Sequence, residues 1–114
     1  GLGDVYKRQP VFFALGSSKL DLNAQKLLDV VAKKMKKASS KKVLQLKAFT
    51  DARGRVKQNE RLALKRAQSV KAYLIQKGIA SRRIELVAIG EADVLSELPN
   101  DASNRRVEFH MVRK

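Results

Sequence analysis

The chain has no cysteine, one histidine, and no tryptophan, with four Phe and two Tyr as its aromatics among 114 residues. Without Cys, neither a disulfide framework nor a thiolate metal site is possible, and either redox compartment is allowed. A lone His removes a His-rich zinc site, and no Cys nucleophile exists. No Ser stands at a recognisable spacing from a base, and no Gly-rich phosphate loop occurs. The sequence therefore carries no signature of an enzyme and calls for no cofactor. No run of about 18 apolar residues occurs, so no segment reads as a membrane-spanning helix.

Acidic residues are the other shortage: 11 Asp and Glu against 25 Lys and Arg leave a formal charge of +14. Six of the cations fall within Lys33–Lys42. Such a surplus concentrates any polyanion, whether nucleic acid, anionic lipid or a carboxylate-rich polymer. The plainer account is a solvated helix end, where lysines complement the helix dipole. The length suits one domain with a two-layer core. Gly1 to Gln9 has no periodicity, cap or turn chemistry and reads like a translated sequencing-adapter tail. Residues 10–114 are accordingly expected to form the domain, with a native upstream part lost.

From Pro10 to Ala14 a short apolar run containing Val11, Phe12 and Phe13 suits a first strand, broken by Gly16-Ser17-Ser18. Asp21 can cap a helix whose apolar positions Ala24, Leu27, Leu28, Val31, Ala32 and Met35 follow the helical period. After Ser39-Ser40, Val43 to Thr50 alternates as a second strand, and Asp51 to Arg55 is a polar turn. Asn59 to Lys77 reads as a second helix stopped by Gly78. Ile84–Gly90 and Arg106–Val112 complete the pattern as third and fourth strands, with 91–103 read as a loop. This βαβαββ order predicts a two-layer α/β sandwich: a four-stranded mixed sheet, its first three strands parallel, with helices packed on one face.

Within the second helix Arg66 interrupts an apolar stripe. At about 100° per residue it falls within roughly 40° of Leu62, on a face shared with Val70 and Leu74, and Asn59 points the same way. An unpaired buried guanidinium costs several kcal/mol by order of magnitude, so Arg66 needs an anionic partner. Asp51, which leaves the end of the second strand, is a candidate for a scaffold ion pair with it. The alternative is a receptor in which both groups face a ligand.

The blocks Phe49-Thr50-Asp51, Asn59-x-x-Leu62-x-x-x-Arg66-Ala67-x-x-Val70-x-x-Tyr73-Leu74, Gly78-Ile79, Arg83-Ile84, Gly90-Glu91 and Asn104-Arg105-Arg106-Val107-Glu108 occur in this order. Together they resemble the OmpA-like peptidoglycan-binding domain, shared by OmpA proteins, peptidoglycan-associated lipoproteins and flagellar stator proteins. The resemblance spans Val11 to about Val112. It implies non-covalent binding of peptidoglycan through diaminopimelate of the stem peptide. It also implies a periplasmic domain, attached to the outer membrane through the missing upstream segment. By the same resemblance Asp51 and Arg66 grip the free end of diaminopimelate, a zwitterion that calls for one carboxylate and one guanidinium. Arg suits this better than Lys, because its planar fork takes a carboxylate bidentately. Asn59, Thr50 and Leu62 complete the expected ligand-binding set, and main-chain N–H groups at Ala52 to Gly54 offer further anion contacts.

The chain departs from the family pattern in three places. Phe49 replaces the usual His before Thr-Asp, Gly16 stands where Asp is common before Ser17-Ser18, and Ala63 replaces a Ser. Glu91, Arg105 and Arg106 also match family positions and read as intramolecular pairs that fix the last loop, worth about 0–1 kcal/mol each if exposed. His110 alternates with the apolar positions of its strand and reads as a surface imidazole, whereas Phe12, Phe13 and Phe109 read as core. The alternative function is a basic nucleic-acid-binding domain, for which Arg53, Arg55, Lys57, Arg61 and Lys65 would supply phosphate contacts. The scarcity of exposed aromatics and the absence of a recognition-helix, RNP or KH signature weigh against nucleic acid as a partner.

Overall fold

The computed structural model describes residues 10–49, 56–90 and 105–113. Strand β1 spans Val11–Phe12, helix α1 Leu22–Lys37, strand β2 Lys42–Phe49 and helix α2 Val56–Gln76; a 3-10 turn over Ser81–Arg83 then leads into strand β3, Ile84–Gly90, and β4 is Arg106–Arg113. The spatial order is β1-β4-β2-β3. β2 pairs parallel with β3, Leu46 opposite Leu86, and antiparallel with β4, Leu46 opposite Phe109. β1 is antiparallel to β4, so β1, β2 and β3 run the same way and β4 opposes them from between β1 and β2. The two-layer α/β sandwich with a four-stranded mixed sheet is therefore observed.

Local chemistry sets the element ends. Asp21 caps α1 through a 2.7 Å hydrogen bond accepted from the Ala24 N–H. Gly78, at φ +100, closes α2: its N–H bonds to the Ile75 carbonyl and the Ile79 N–H to the Leu74 carbonyl. These paired bonds satisfy the last carbonyls of the helix in the left-handed turn that glycine favours. α2 starts three residues ahead of the expected Asn59. β1 is shorter than expected, because the chain turns after Phe13: the Ala14 carbonyl accepts from the Ser17 N–H at 3.1 Å, and Gly16 takes φ +68.

The core lies between the helices and one face of the sheet. α1 contributes Leu28, Val31 and Met35, α2 contributes Ala63, Ala67, Val70 and Leu74, and the sheet contributes Leu44, Leu46, Ala48, Val107 and Phe109. Phe12, expected in the core, is 47% exposed. Side chains alternate along an extended segment, so burying Val11 and Phe13 turns Phe12 outward. The helices are tied to each other by the Tyr73 hydroxyl, which donates to Asp29 at 2.7 Å. That bond holds the Tyr73 phenol above its usual titration range.

The other face of the sheet carries a polar ladder. Glu108 accepts from Arg106 at 2.7 Å and lies 3.0 Å from His110, while Gln45 donates to Glu85 at 3.2 Å. Arg106 is buried rather than exposed, because its guanidinium lies 3.9 Å over the Phe49 ring. His110 is correspondingly a partner of Glu108 and not a free surface imidazole.

Candidate functional site

Arg66 projects from the middle of α2 and is fully buried. Its Nε donates to the Ser17 carbonyl at 2.8 Å, one terminal nitrogen to the Ala14 carbonyl at 3.1 Å and the other to the Phe49 carbonyl at 3.4 Å. Its guanidinium also lies 5.2 Å from the centre of the Phe13 ring. One cation thus gathers the loop after β1 and the end of β2 around a single helix position. Main-chain carbonyls supply partial negative charge to the guanidinium, and a forked donor is what three divergent acceptors require. Arg105 reinforces the same corner: its Nε donates to the Phe13 carbonyl at 3.0 Å, and its own carbonyl accepts from the Phe13 N–H at 2.8 Å.

Asn59 lies two turns before Arg66 on the same helix face and is 6% exposed. Its side-chain nitrogen is buried without a hydrogen-bond partner among the described residues. Leu62 is half-buried beside them. The expected partners Thr50 and Asp51, and the Ala52 to Gly54 amides, lie outside the described residues, as do Glu91 and the proposed leader 1–9. The structure thus brings Arg66 to the end of β2 and sets Asn59 two turns away on the same helix face. Ala14, Ser17 and Phe13, which sequence reasoning missed as parts of this corner, act through carbonyls and a ring face, and acceptors of that kind leave no residue-type signal.

On the sheet's polar face, burial alone would push the Glu108 carboxyl up, but hydrogen bonds and charge from Arg106 and His110 outweigh it, so Glu108 titrates below the ordinary value of 4.5. Among the described residues, no group of three or more His, Cys, Asp or Glu side chains is placed to hold a metal ion. None of the described helices is long and apolar enough to cross a membrane.

Residues 12–108 match the model of the OmpA family. The chain is 36% identical over 101 residues to a peptidoglycan-associated lipoprotein of Pseudomonas putida, covering 86% of this chain and 60% of that protein. It is 34% identical over 104 residues to outer membrane protein A of Bordetella avium, covering 89% of this chain and 53% of that one. The chain thus spans less than two thirds of the length of either relative. In three dimensions it is similar to the peptidoglycan-associated lipoprotein of Burkholderia pseudomallei, with TM-score 0.85 and 25% identity over 91% of this chain and 90% of that structure. With the family match covering most of its length and the same fold in that structure, the chain belongs to the OmpA family.

Proposed function

We propose that this domain binds peptidoglycan non-covalently, taking the free end of diaminopimelate in the stem peptide, and so anchors a cell-envelope protein to the wall without catalysis. The observation that carries this reading is the buried side-chain amide of Asn59, a donor unanswered among the described residues on the helix face of Arg66. A buried donor left unmade costs about 1–3 kcal/mol, which a ligand carbonyl or carboxylate would recover. Asp51 follows Phe49 by two residues, and Arg66 holds the Phe49 carbonyl. Chain connectivity therefore limits Asp51 to within about 8 Å of Phe49, measured between Cα atoms. A carboxylate and a guanidinium that can both face a ligand would suit the ammonium and carboxylate of one amino-acid end. Membership of a family that includes peptidoglycan-associated lipoproteins supports the same ligand. The domain would act in the periplasm, held to the outer membrane by a part of the protein outside this chain.

Co-sedimentation with diaminopimelate-type sacculi tests this. Asp51→Ala is the informative variant, because Arg66 also fastens three main-chain carbonyls and its removal would disturb the fold. Loss of one member of a desolvated charge pair should weaken binding by about thirtyfold or more. Sedimentation unchanged in Asp51→Ala and abolished by modest salt would instead report attraction of a +14 domain to any polyanion, nucleic acid included.

A further inference from the structure

The lysines of residues 33–42 take no part in the wall-binding reading. They lie at the far end of the domain: Phe49, whose carbonyl Arg66 holds, and Lys42 close opposite ends of β2, about 23 Å apart at the rise of a strand. Complementing the α1 dipole accounts for Lys34, Lys36 and Lys37 in the last turn. It does not account for Lys41 and Lys42, nor for Lys77 and Arg82 on the neighbouring elements. Neither Val30–Thr50 nor Arg61–Ile84 contains an acidic residue. Of the acids flanking this end, Asp29 accepts from Tyr73 at 2.7 Å and lies 3.6 Å from Lys77, and Glu85 accepts from Gln45. Clustered like charges repel within the folded state, and an anionic surface outside it would relieve that repulsion.

The cluster is also held in place. Arg83 donates to the carbonyls of Met35 at 2.9 Å, Ser39 at 2.9 Å and Lys42 at 3.2 Å, fastening the turn that presents Lys36, Lys37 and Lys41. Lys33, Lys36 and Lys77, together with Asp29 and Ala32, line a hollow of about 240 Å³, three cations against one carboxylate. Gly78 lies against the tip of Lys36, to whose Cε and Nζ a Cβ there would come within 3.3 Å.

We propose that this end of the domain docks on an anionic phospholipid membrane, with a headgroup phosphate entering the Lys33/Lys36/Lys77 hollow. Lysine ammoniums are mobile point charges suited to phosphate, and a cluster of about 4–8 on an amphipathic helix is the pattern that anionic bilayers attract. Val30 is 46% exposed one turn before Lys33 and Lys34 and adds a shallow apolar contact. Nucleic acid fits less well, because Phe12, the large aromatic exposed among the described residues, lies at the other end, away from any stacking role here. The choice of a lipid surface rests on the envelope placement proposed above, whereas the charge geometry is independent of it. Wall and membrane would then be held at opposite ends of one rigid domain.

The test is sedimentation of the domain with vesicles of phosphatidylglycerol in phosphatidylcholine against vesicles of phosphatidylcholine alone. Binding is expected to the anionic vesicles only, and K33E/K36E/K37E should reduce it more than a hundredfold, at about fivefold per cation near the surface. The charge-matched control K57E/R61E/K65E, on the first half of α2, should bind like the parent. Should the glutamates unfold α1, K33Q/K36Q/K37Q serves in their place with a smaller expected loss. Equal losses from the two charge-reversal variants, or equal binding to neutral vesicles, would overturn the proposal. Asp51→Ala should keep vesicle binding while losing sacculi, so vesicle failure with intact sacculus binding refutes the membrane surface alone, and the converse refutes the wall site alone.

Discussion

Arg66 and Asn59 occupy one face of α2 with opposite consequences for the free domain. Arg66 is answered by the carbonyls of Ala14, Ser17 and Phe49, and charged hydrogen bonds of this kind contribute about 1.5–3 kcal/mol each. Arg66→Lys keeps the charge but cannot span three acceptors, so unfolding in urea should show a loss of about 3 kcal/mol or more; a loss under about 1 kcal/mol would mean that the fork is dispensable. Asn59→Ala should behave differently. It removes a donor that has no partner among the described residues, so the stability of the free domain should change by less than about 1 kcal/mol while sacculus affinity falls about tenfold. A large stability loss with unchanged affinity would assign the amide to the scaffold. Glu108 gives a pH-dependent counterpart. Its carboxyl titrates lower in the folded state than in the unfolded one, so its contribution is complete above the unfolded value and is lost as pH falls through the folded value. The stability gap between the parent and Glu108→Gln should therefore close on acidification below about pH 4.5. A gap that stays constant to lower pH would show that the carboxylate charge is not what Arg106 and His110 stabilise.

At the scale of elements, the helices and the three long strands were legible because their periods differ: Ala24, Leu28, Val31 and Met35 recur at helical spacing, whereas Leu44, Leu46 and Ala48 alternate. What escaped was decided by main-chain acceptors and by neighbours distant in sequence. β1 ends after Phe12 because the Ala14 carbonyl turns to Ser17 and Arg66, and no property of Phe13 or Ala14 signals that. The β4 position between β1 and β2 follows from long-range pairing such as Val11 with Val107, which local pattern does not encode. Of the site, the charged member on α2 could be read as a polar residue in an apolar stripe, but its carbonyl partners could not. Arg83 was visible as part of a motif block, yet its role is to close the α1–β2 turn through Met35, Ser39 and Lys42. Arg83→Met should lower stability by about 1–3 kcal/mol and speed amide hydrogen exchange at Ala38 and Lys42, whose N–H groups close that turn. Unchanged exchange there would show that the helix end is held without the clamp.

Across the whole molecule the charges are segregated rather than interspersed: 25 cations face 11 anions, and six of the cations lie in one ten-residue stretch at one end of the sheet. A core joining both helices to the sheet tolerates this, since burial is non-directional and indifferent to what the surface carries. The repulsion nevertheless acts against the folded state, where Lys33, Lys36 and Lys77 are brought around one hollow. Raising salt from about 0.01 M to about 0.15 M shortens the screening length from about 30 Å to about 8 Å, which weakens repulsion among exposed lysines more than it weakens buried contacts. The thermal midpoint of the free domain should therefore rise over this range, although surface ion pairs such as Lys77–Asp29 weaken at the same time. K33Q/K36Q/K37Q should raise the midpoint at low salt and flatten its salt dependence, because it removes the repulsion that salt would otherwise screen. A midpoint that falls with salt, or a triple variant no more stable than the parent at low salt, would mean that the lysines are accommodated without strain and that the domain gains nothing energetically from meeting an anionic surface there.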